Sequence, residues 1–299
     1  MSLLKTALQR GEFAVTAEMA PPKGCDFSEQ AAVAELLRGK VQGVNVTDMQ
    51  SACLKASSLG LCIRLKQAGV EPILQVTGRD RNRMAILADL LSAAAFGIDT
   101  MLALTGDHPV VGDCKGAKPV YDLDSVGILE MLRRVEETGL DCGGNALDSK
   151  PEFFRGAVVT PVYEPVALQV AKLRRKVDAG AQYIQTQGIF ETESLKRFLE
   201  AVDQAQIRVP IMAGIIPLKS AGMARYMNEN VPGIAVPQDQ IDALASAKEA
   251  GRKPAEVGVD MAADLIRQIR AENLCPGVHI MAIGAEKNVP IILEKAGIQ

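Results

Sequence analysis

Short runs of β-branched and apolar residues alternate with longer helix-periodic segments along the whole chain. This alternation is typical of repeated βαβ units, in which a helix connects each pair of parallel strands. Eight strands are predicted, at residues 13–18, 44–47, 72–77, 100–105, 157–160, 183–187, 210–215 and 278–283. Helical segments are predicted between them, at residues 28–37, 55–67, 82–95, 125–137, 166–179, 194–205 and 238–271.

Eight strand–helix repeats with right-handed crossovers close most economically into an α/β fold of the (β/α)8 TIM barrel type, and a doubly wound open sheet is the alternative. One barrel domain over residues 1–299 is predicted. A short N-terminal helix at residues 3–8 is expected to cover the bottom of the barrel. Two connections, at about 107–124 and 138–152, exceed ordinary loop lengths. The first follows a strand and is the better candidate for part of a binding site, whereas the second fits a surface insertion.

The charge balance and hydropathy argue against several classes of partner. With 33 Lys+Arg and 36 Asp+Glu the net charge is −3, which gives no general field to attract nucleic acid or an anionic membrane. No run approaches the roughly 18 apolar residues of a membrane span, and Lys5, Arg10 and Glu12 interrupt the opening segment. A cytoplasmic protein is therefore predicted, and a homo-oligomer remains open.

Nucleophile and zinc sites of the usual kinds are not expected. The chain has 2 histidines, His108 and His279, and neither lies near a serine or cysteine in a nucleophile context. The 6 cysteines are scattered without a C-x-x-C pair, and no metal site is predicted. The carboxylates that could still supply oxygen ligands to a divalent cation are Glu18, Asp48, Asp80 and Asp107.

Polar side chains stand at the predicted carboxyl ends of the strands, where barrels place their active sites. Glu18 ends an apolar strand before two prolines, so partial desolvation would suit it to general acid catalysis, whereas pairing with Lys23 would make it an ordinary carboxylate. Asp107 follows a glycine that permits close approach of a flat or phosphorylated ligand, although this pattern is equally usual in a turn. Gln187 carries both an amide donor and an acceptor, which the edge of a heterocycle can pair with.

Several motifs at these strand ends together resemble the methylenetetrahydrofolate reductase family of flavin-dependent barrels. AEMAPPKG, which contains Glu18, resembles the family's E-x-x-P-P signature, VNVTD resembles its second-strand motif, and ALTGD resembles its L-R-G-D. LRRKVDAGA is similar to its K-R-K-V-x-A-G-A helix, TQ at Thr186 and Gln187 to its sixth strand, and GIIP to its seventh. The likeness runs from residue 12 to about 217 and is closest to the short reductases of acetogenic and related anaerobic bacteria.

The resemblance implies reduction of 5,10-methylenetetrahydrofolate to 5-methyltetrahydrofolate by hydride transfer from a reduced flavin, FAD or alternatively FMN. It implies that Glu18 protonates N10 of the substrate, that Asp107 stabilises the resulting cation, and that Gln187 binds the pterin. Glu18 and Asp107 are then expected to face one hollow from neighbouring walls. The residues implied to contact the flavin are Thr47, Gln75, Leu104, Thr105, Gly106, Asp107, Tyr121, Thr160, Glu164 and Lys176.

The chain departs from the family pattern at five positions, three of them among the flavin contacts above. Gln75, Thr105 and Glu164 replace a histidine, an arginine and a histidine of many relatives, and Gly188 and Ala221 replace aromatic residues. These differences leave FMN open as the cofactor, and either NAD(P)H or a partner protein as the electron donor. Two other functions remain open: a methyltransferase that passes the methyl group of methyltetrahydrofolate to a corrinoid protein, and a non-catalytic folate- or flavin-binding subunit of a larger complex.

Overall fold

Eight parallel strands form a closed barrel, each hydrogen-bonded to its neighbours in chain order. The structure is a computed structural model that describes residues 2–298. β1 pairs with both β2 and β8, so the sheet has no open edge. The TIM barrel prediction is therefore confirmed, and the open-sheet alternative is wrong. The strands are β1 (Ala14–Met19), β2 (Gly43–Val46), β3 (Pro72–Thr77), β4 (Thr100–Leu104), β5 (Phe154–Val159), β6 (Tyr183–Ile189), β7 (Ile211–Ile215) and β8 (Gly277–Ile280).

Helices occupy the connections between the strands and cover the outside of the barrel. Several begin at side-chain caps, as at Asn82, Asp124 and Ser220, each of which accepts a hydrogen bond from a backbone N–H three residues later. Within residues 2–298, no helix is both long and apolar enough to cross a membrane. The helices are α1 (Leu3–Gln9), α2 (Ser28–Leu37), α3 (Ser58–Gln67), α4 (Arg83–Ala95), α5 (Ser125–Thr138), α6 (Val166–Asp178), α7 (Thr192–Gln204), α8 (Ala221–Asn230), α9 (Gln238–Ser246), α10 (Pro254–Ala271) and α11 (Val289–Lys295).

The structure corrects the predicted elements at three places. The helical segment predicted at 238–271 is two helices, because Gly251 has φ +69° and Pro254 fits only the first turn of a helix. α8 and α11 were not predicted. β5 begins at Phe154 rather than at residue 157, since Arg155 is accommodated in the strand by an ion pair with Glu136 of α5.

The amino-terminal end of the barrel is filled with apolar side chains. Residues from six strands meet there, which is possible only inside the barrel, and Leu4 and Ala7 of α1 pack against them. Ser2 fixes the start of α1, since its hydroxyl accepts hydrogen bonds from Lys5 N at 3.2 Å and from Thr100 Oγ1 of β4 at 2.7 Å. The strand residues of this apolar layer are Ala14, Ile73, Leu102, Phe154, Tyr183 and Met212.

Leu4→Ala should destabilise the protein by about 2–5 kcal/mol, because it removes a side chain that is 1% exposed and leaves a cavity under the barrel. Leu3→Ala is the matched control: Leu3 lies in the same helix but is 51% exposed, so the change should stay within about 0.5 kcal/mol. Urea unfolding measures both. Equal midpoints for the two variants would contradict the packing of α1 against the barrel.

Candidate active site

Glu18 lies at the carboxyl end of β1, on the floor of a cleft of about 710 Å³. This volume falls within the roughly 300–1,000 Å³ of small-molecule sites. The walls come from the connections that follow β1, β2 and β8, represented by Pro21, Thr47 and Ile283. Asp113 of the long connection after β4 completes the lining. The structure thus places the predicted acid in a ligand-sized space.

The Glu18 carboxylate is approached by side chains from three other parts of the chain, two of which donate hydrogen bonds to it. The residue is 9% exposed. Gln50 Nε2 donates to Oε1 at 3.4 Å, and Gln75 Nε2 donates to Oε2 at 3.4 Å. His279 Nε2 lies 3.8 Å from the same Oε2. Neither amide carries a charge, so these contacts orient the carboxyl group without forming an ion pair with it.

A layer of buried polar side chains lies inside the barrel between Glu18 and the apolar bottom. His279 Nδ1 is 2.9 Å from Thr16 Oγ1, which accepts from Gln185 Nε2 at 3.1 Å. Gln185 and Asn45 exchange two further hydrogen bonds, of 2.8 and 3.2 Å. Because β2 and β6 lie on opposite sides of the barrel, their side chains meet only across its interior. His279 and Gln185 were not predicted as site residues, since their only signal in the sequence is a polar residue within an apolar strand.

Thr47 lines the cleft and carries a buried hydroxyl group. The residue is 1% exposed, and Oγ1 has no hydrogen-bond partner within residues 2–298. Buried polar atoms are nearly always paired, so this atom is suited to receive a ligand. Its neighbour Asp48 is engaged through Oδ2, which accepts from Thr77 N at 2.8 Å, from Thr77 Oγ1 at 3.0 Å and from Arg81, whereas Oδ1 has no partner within residues 2–298.

Asp107 lies on the rim of the barrel, and its side chain is exposed. No hydrogen bond joins it to Glu18 within the described chain, and it does not line the cleft that contains Glu18. The expectation that the two carboxylates stand on neighbouring walls is wrong, because β1 neighbours β2 and β8 whereas β4 neighbours β3 and β5. A role for Asp107 at the same bound ligand stays a prediction.

Arg79 ties together the connections that follow three strands. It is 2% exposed and contacts both carboxylate oxygens of Asp80, through Nε at 2.9 Å and Nη2 at 2.7 Å. Nη2 also donates to Met49 O at 3.0 Å, and Nη1 donates to Asp107 O at 3.3 Å. The backbone of Asp107 is thereby fixed although its carboxylate is not. No role for Arg79 was predicted from the sequence.

Gly106 and Tyr121 are joined at the two ends of the long connection after β4. Tyr121 Oη donates to Gly106 O at 3.1 Å. Gly106 has φ +88°, and a Cβ there would lie 3.1 Å from Arg79 Cβ and 3.2 Å from Thr77 Cβ. A glycine is therefore required at this point on steric grounds alone.

The tip of the same connection is anchored across the cleft. Asp113 accepts from Leu54 N at 2.9 Å and from Lys23 Nζ at 2.5 Å. A Cβ on Gly112 would lie 1.9 Å from Ala52 O, so the two backbones are in close contact. The segment that follows β4 thus forms one wall of the space above Glu18.

The other predicted flavin contacts engage protein atoms. Thr105 Oγ1 accepts from Ser125 N at 3.2 Å, and Leu104, the last residue of β4, is half-buried. Glu164 is exposed and accepts from Val166 N at 3.1 Å.

Thr160, Lys176 and Gln187 lie near the ends of β5 and β6. Thr160 packs against Gly233, where a Cβ would lie 2.1 Å from its methyl carbon. Lys176 Nζ donates to Val158 O at 2.5 Å, and burial, with a smaller contribution from a neighbouring lysine, lowers the pKa of its ammonium group. Gln187 Oε1 accepts from its neighbour's backbone N–H at 3.1 Å.

Within residues 2–298, no group of three or more His, Cys, Asp or Glu side chains is arranged to hold a metal ion. Asp48 and Asp80, two of the carboxylates that the sequence left open as oxygen ligands, are instead paired with arginines.

The profile of the family described as methylenetetrahydrofolate reductase matches residues 3–297. The chain belongs to the methylenetetrahydrofolate reductase family. The resemblance inferred from the strand-end motifs is therefore confirmed.

Curated relatives carry the family name at low identity. A protein of Caenorhabditis elegans named probable methylenetetrahydrofolate reductase (NADPH) is 25% identical over 83% of this chain and 34% of its own length. Methylenetetrahydrofolate reductase 2 of Schizosaccharomyces pombe is 26% identical over 75% of this chain and 35% of its own. Methylenetetrahydrofolate reductase (NADH) 1 of Arabidopsis thaliana is 23% identical over 99% of this chain and 50% of its own. The chain spans about a third to a half of the length of these relatives.

A solved structure from Clostridium thermocellum shares the fold. It superposes with a TM-score of 0.68 at 16% identity, over 100% of both chains. That protein is described as binding two copies of 5-methyl-5,6,7,8-tetrahydrofolic acid. At this identity the likeness shows that the two chains share the barrel.

Asp113→Ala should loosen the connection after β4, because it removes both the ion pair with Lys23 and the hydrogen bond from Leu54 N. Tryptic cleavage after the exposed Lys115 should become about five- to tenfold faster, as expected for the loss of these two solvent-exposed contacts. Lys118→Ala, in the same connection, should leave this rate unchanged. An unchanged rate in Asp113→Ala would show that Asp113 does not anchor the segment.

Proposed function

We propose that this chain reduces 5,10-methylenetetrahydrofolate to 5-methyltetrahydrofolate with a bound flavin as the hydride carrier. The observation that carries the proposal is Glu18, a buried carboxyl group oriented by two neutral amides at the floor of a ligand-sized cleft. Membership of the reductase family supports the same reaction, and the folate bound by the C. thermocellum barrel fits it.

The residues near the cleft fit the ring of a flavin or a pterin. The unpaired Thr47 hydroxyl and the Gln75 amide are neutral hydrogen-bonding groups, suited to the edge of a heterocycle. Lys176 is the only cation in the predicted flavin set, and to hold a phosphate it would exchange its bond to Val158 O for one to the phosphate. When bound, the flavin supplies hydride transfer chemistry, and the protein supplies orientation and charge. The proposed flavin contacts remain Thr47, Gln75, Leu104, Thr105, Gly106, Asp107, Tyr121, Thr160, Glu164 and Lys176.

Glu18 is proposed to hold a proton for N10 of the substrate. Transfer of this proton to N10 accompanies cleavage of the bond between N10 and the bridging methylene carbon, and the electron pair of that bond goes to N10. The methylene group is left as an iminium on N5, which accepts hydride to become the methyl group. A general acid is required because an unprotonated amine is a poor leaving group.

Asp107 and Gln187 are proposed to act on the pterin side. The backbone of Asp107 is anchored by Arg79, whereas its carboxylate makes no hydrogen bond within residues 2–298 and is therefore available to stabilise the iminium charge. Gln187 uses its carbonyl oxygen internally, and its amide nitrogen remains available as a donor to the pterin.

FAD is the proposed cofactor and FMN its alternative. NAD(P)H is the proposed electron donor because the C. elegans and A. thaliana relatives are named for NADPH and NADH. A partner protein is the alternative donor, and a cytoplasmic location stays a prediction. A methyltransferase or a non-catalytic subunit would instead bind folate without reducing it.

Glu18→Gln should slow the reaction with folate by about 10²–10⁴-fold, because it keeps the shape of the side chain but cannot supply the proton. The purified flavoprotein would be reduced anaerobically with dithionite, and reoxidation of its flavin by 5,10-methylenetetrahydrofolate would be followed by absorbance. Glu29→Gln is the matched control, since Glu29 lines the same cleft but is exposed. Equal rates in the wild type and Glu18→Gln would reject Glu18 as the acid.

The cofactor itself is tested by mass spectrometry of the small molecules released on denaturation. FAD is the expected product, and FMN would support the alternative. A protein that carries no flavin and cannot be reconstituted with one would contradict the reductase proposal, and a methyl-transfer assay with a corrinoid protein would then separate the two remaining functions.

A further inference from the structure

The polar layer under Glu18 is unusually well enclosed. Thr16 and Asn45 are fully buried, Gln185 is 1% exposed and His279 is 3% exposed. Each of these four residues comes from a different strand, respectively β1, β2, β6 and β8. Burying four polar groups in a barrel interior is costly unless they are paired, and here their hydrogen bonds form one connected chain that ends at His279. His279 Nε2 in turn lies 3.8 Å from Glu18 Oε2.

The hydrogen bonds assign the tautomer of His279. Gln185 Nε2 donates both of its hydrogens, to Thr16 Oγ1 and to Asn45 Oδ1. The Thr16 hydroxyl, having accepted from Gln185, has one hydrogen to donate, and His279 Nδ1 is 2.9 Å away. No other acceptor for this hydrogen is found within residues 2–298, so Nδ1 is the acceptor and the ring N–H is at Nε2. Nε2 is the nitrogen that faces Glu18 Oε2.

The chain of bonds does not supply protons from solvent. Its far end is the reciprocal pair of Gln185 and Asn45, and beyond that pair lie the apolar bottom layer and α1. A proton that leaves Glu18 for the substrate must therefore be replaced from the cleft. The buried polar layer can instead orient the Glu18 carboxyl group.

We propose that His279 is a positioning residue for Glu18, held in its Nε2–H tautomer by Thr16 and Gln185. This inference rests on the proposed function of Glu18 as the proton donor. His279 and Gln75 both face Oε2, so this oxygen is engaged by the protein. Oε1, met only by Gln50 at 3.4 Å among residues 2–298, is the oxygen left to face the substrate nitrogen.

The first test reads the tautomer directly and needs neither flavin nor folate. Because the chain has 2 histidines, selective ¹⁵N labelling of imidazole gives one pair of signals for buried His279 and one for exposed His108. The wild type should show His279 as the Nε2–H tautomer. Thr16→Val, which keeps the shape of the side chain but removes the hydroxyl, should shift His279 toward a mixture, whereas Thr16→Ser should retain Nε2–H. The His108 signals should be the same in all three proteins.

The second test measures the consequence for the reaction. In Thr16→Val, folate-dependent reoxidation of the reduced flavin should slow by about tenfold or more, as expected when a catalytic group is misplaced. Its dissociation constant for 5-methyltetrahydrofolate and its flavin content should equal those of the wild type. Thr16→Ser, which keeps the hydroxyl, should react at the wild-type rate. If the polar layer had only a structural role, Thr16→Val would lower the stability of the protein, but each folded molecule would still be reoxidised at the wild-type rate.

Two outcomes would overturn the proposal: an Nδ1–H tautomer in the wild type, or a wild-type rate in a folded Thr16→Val whose tautomer has shifted. Failure of the proposed function is recognised separately, because the wild-type flavoprotein would then not be reoxidised by folate at all. The tautomer measurement remains decisive for the hydrogen-bonded layer in that case.

Discussion

A carboxyl group can lie buried at the carboxyl end of this barrel only because other strands bring hydrogen-bond donors to it. Glu18 is met by the amides of Gln50 and Gln75 and faced by the imidazole of His279, from segments that follow or form β2, β3 and β8. A single buried carboxylate without such donors would be strongly destabilising. Closure of the barrel between β1 and β8 is what places His279 beside Glu18, so the fold and the candidate site depend on the same pairing.

The interior of the barrel is divided along its axis. Apolar residues and α1 close the amino-terminal end, a polar layer follows, and the cleft opens at the carboxyl end. Around that opening, Arg79 and Asp113 fix the connections after β2, β3 and β4 through hydrogen bonds to backbone groups as well as carboxylates. A rigid floor with anchored walls is the arrangement that positions a reacting group within a fraction of an ångström.

Hydrophobic periodicity predicted the eight strands and their order, since buried parallel strands are short apolar runs that helices separate. It failed where polar residues interrupt an element, as at Arg155 in β5, and where a helix has a narrow buried stripe, as in α8. At the site, Glu18 could be found because a barrel strand ends there. Arg79 could not be assigned a role, because its partners Met49 and Asp107 are bound through backbone carbonyls that leave no pattern in the sequence.

The sequence by itself determined the repeat, the family and the identity of the acidic residue at the end of β1, because these depend on local periodicity and on short motifs. Only the tertiary structure decided which side chains surround that acid. Thr16 is 169 residues from Gln185 and 263 from His279 in sequence, and their contact depends on curvature and closure of the sheet. In the same closed barrel, two strands separate β1 from β4, so Asp107 and Glu18 do not lie on neighbouring strands.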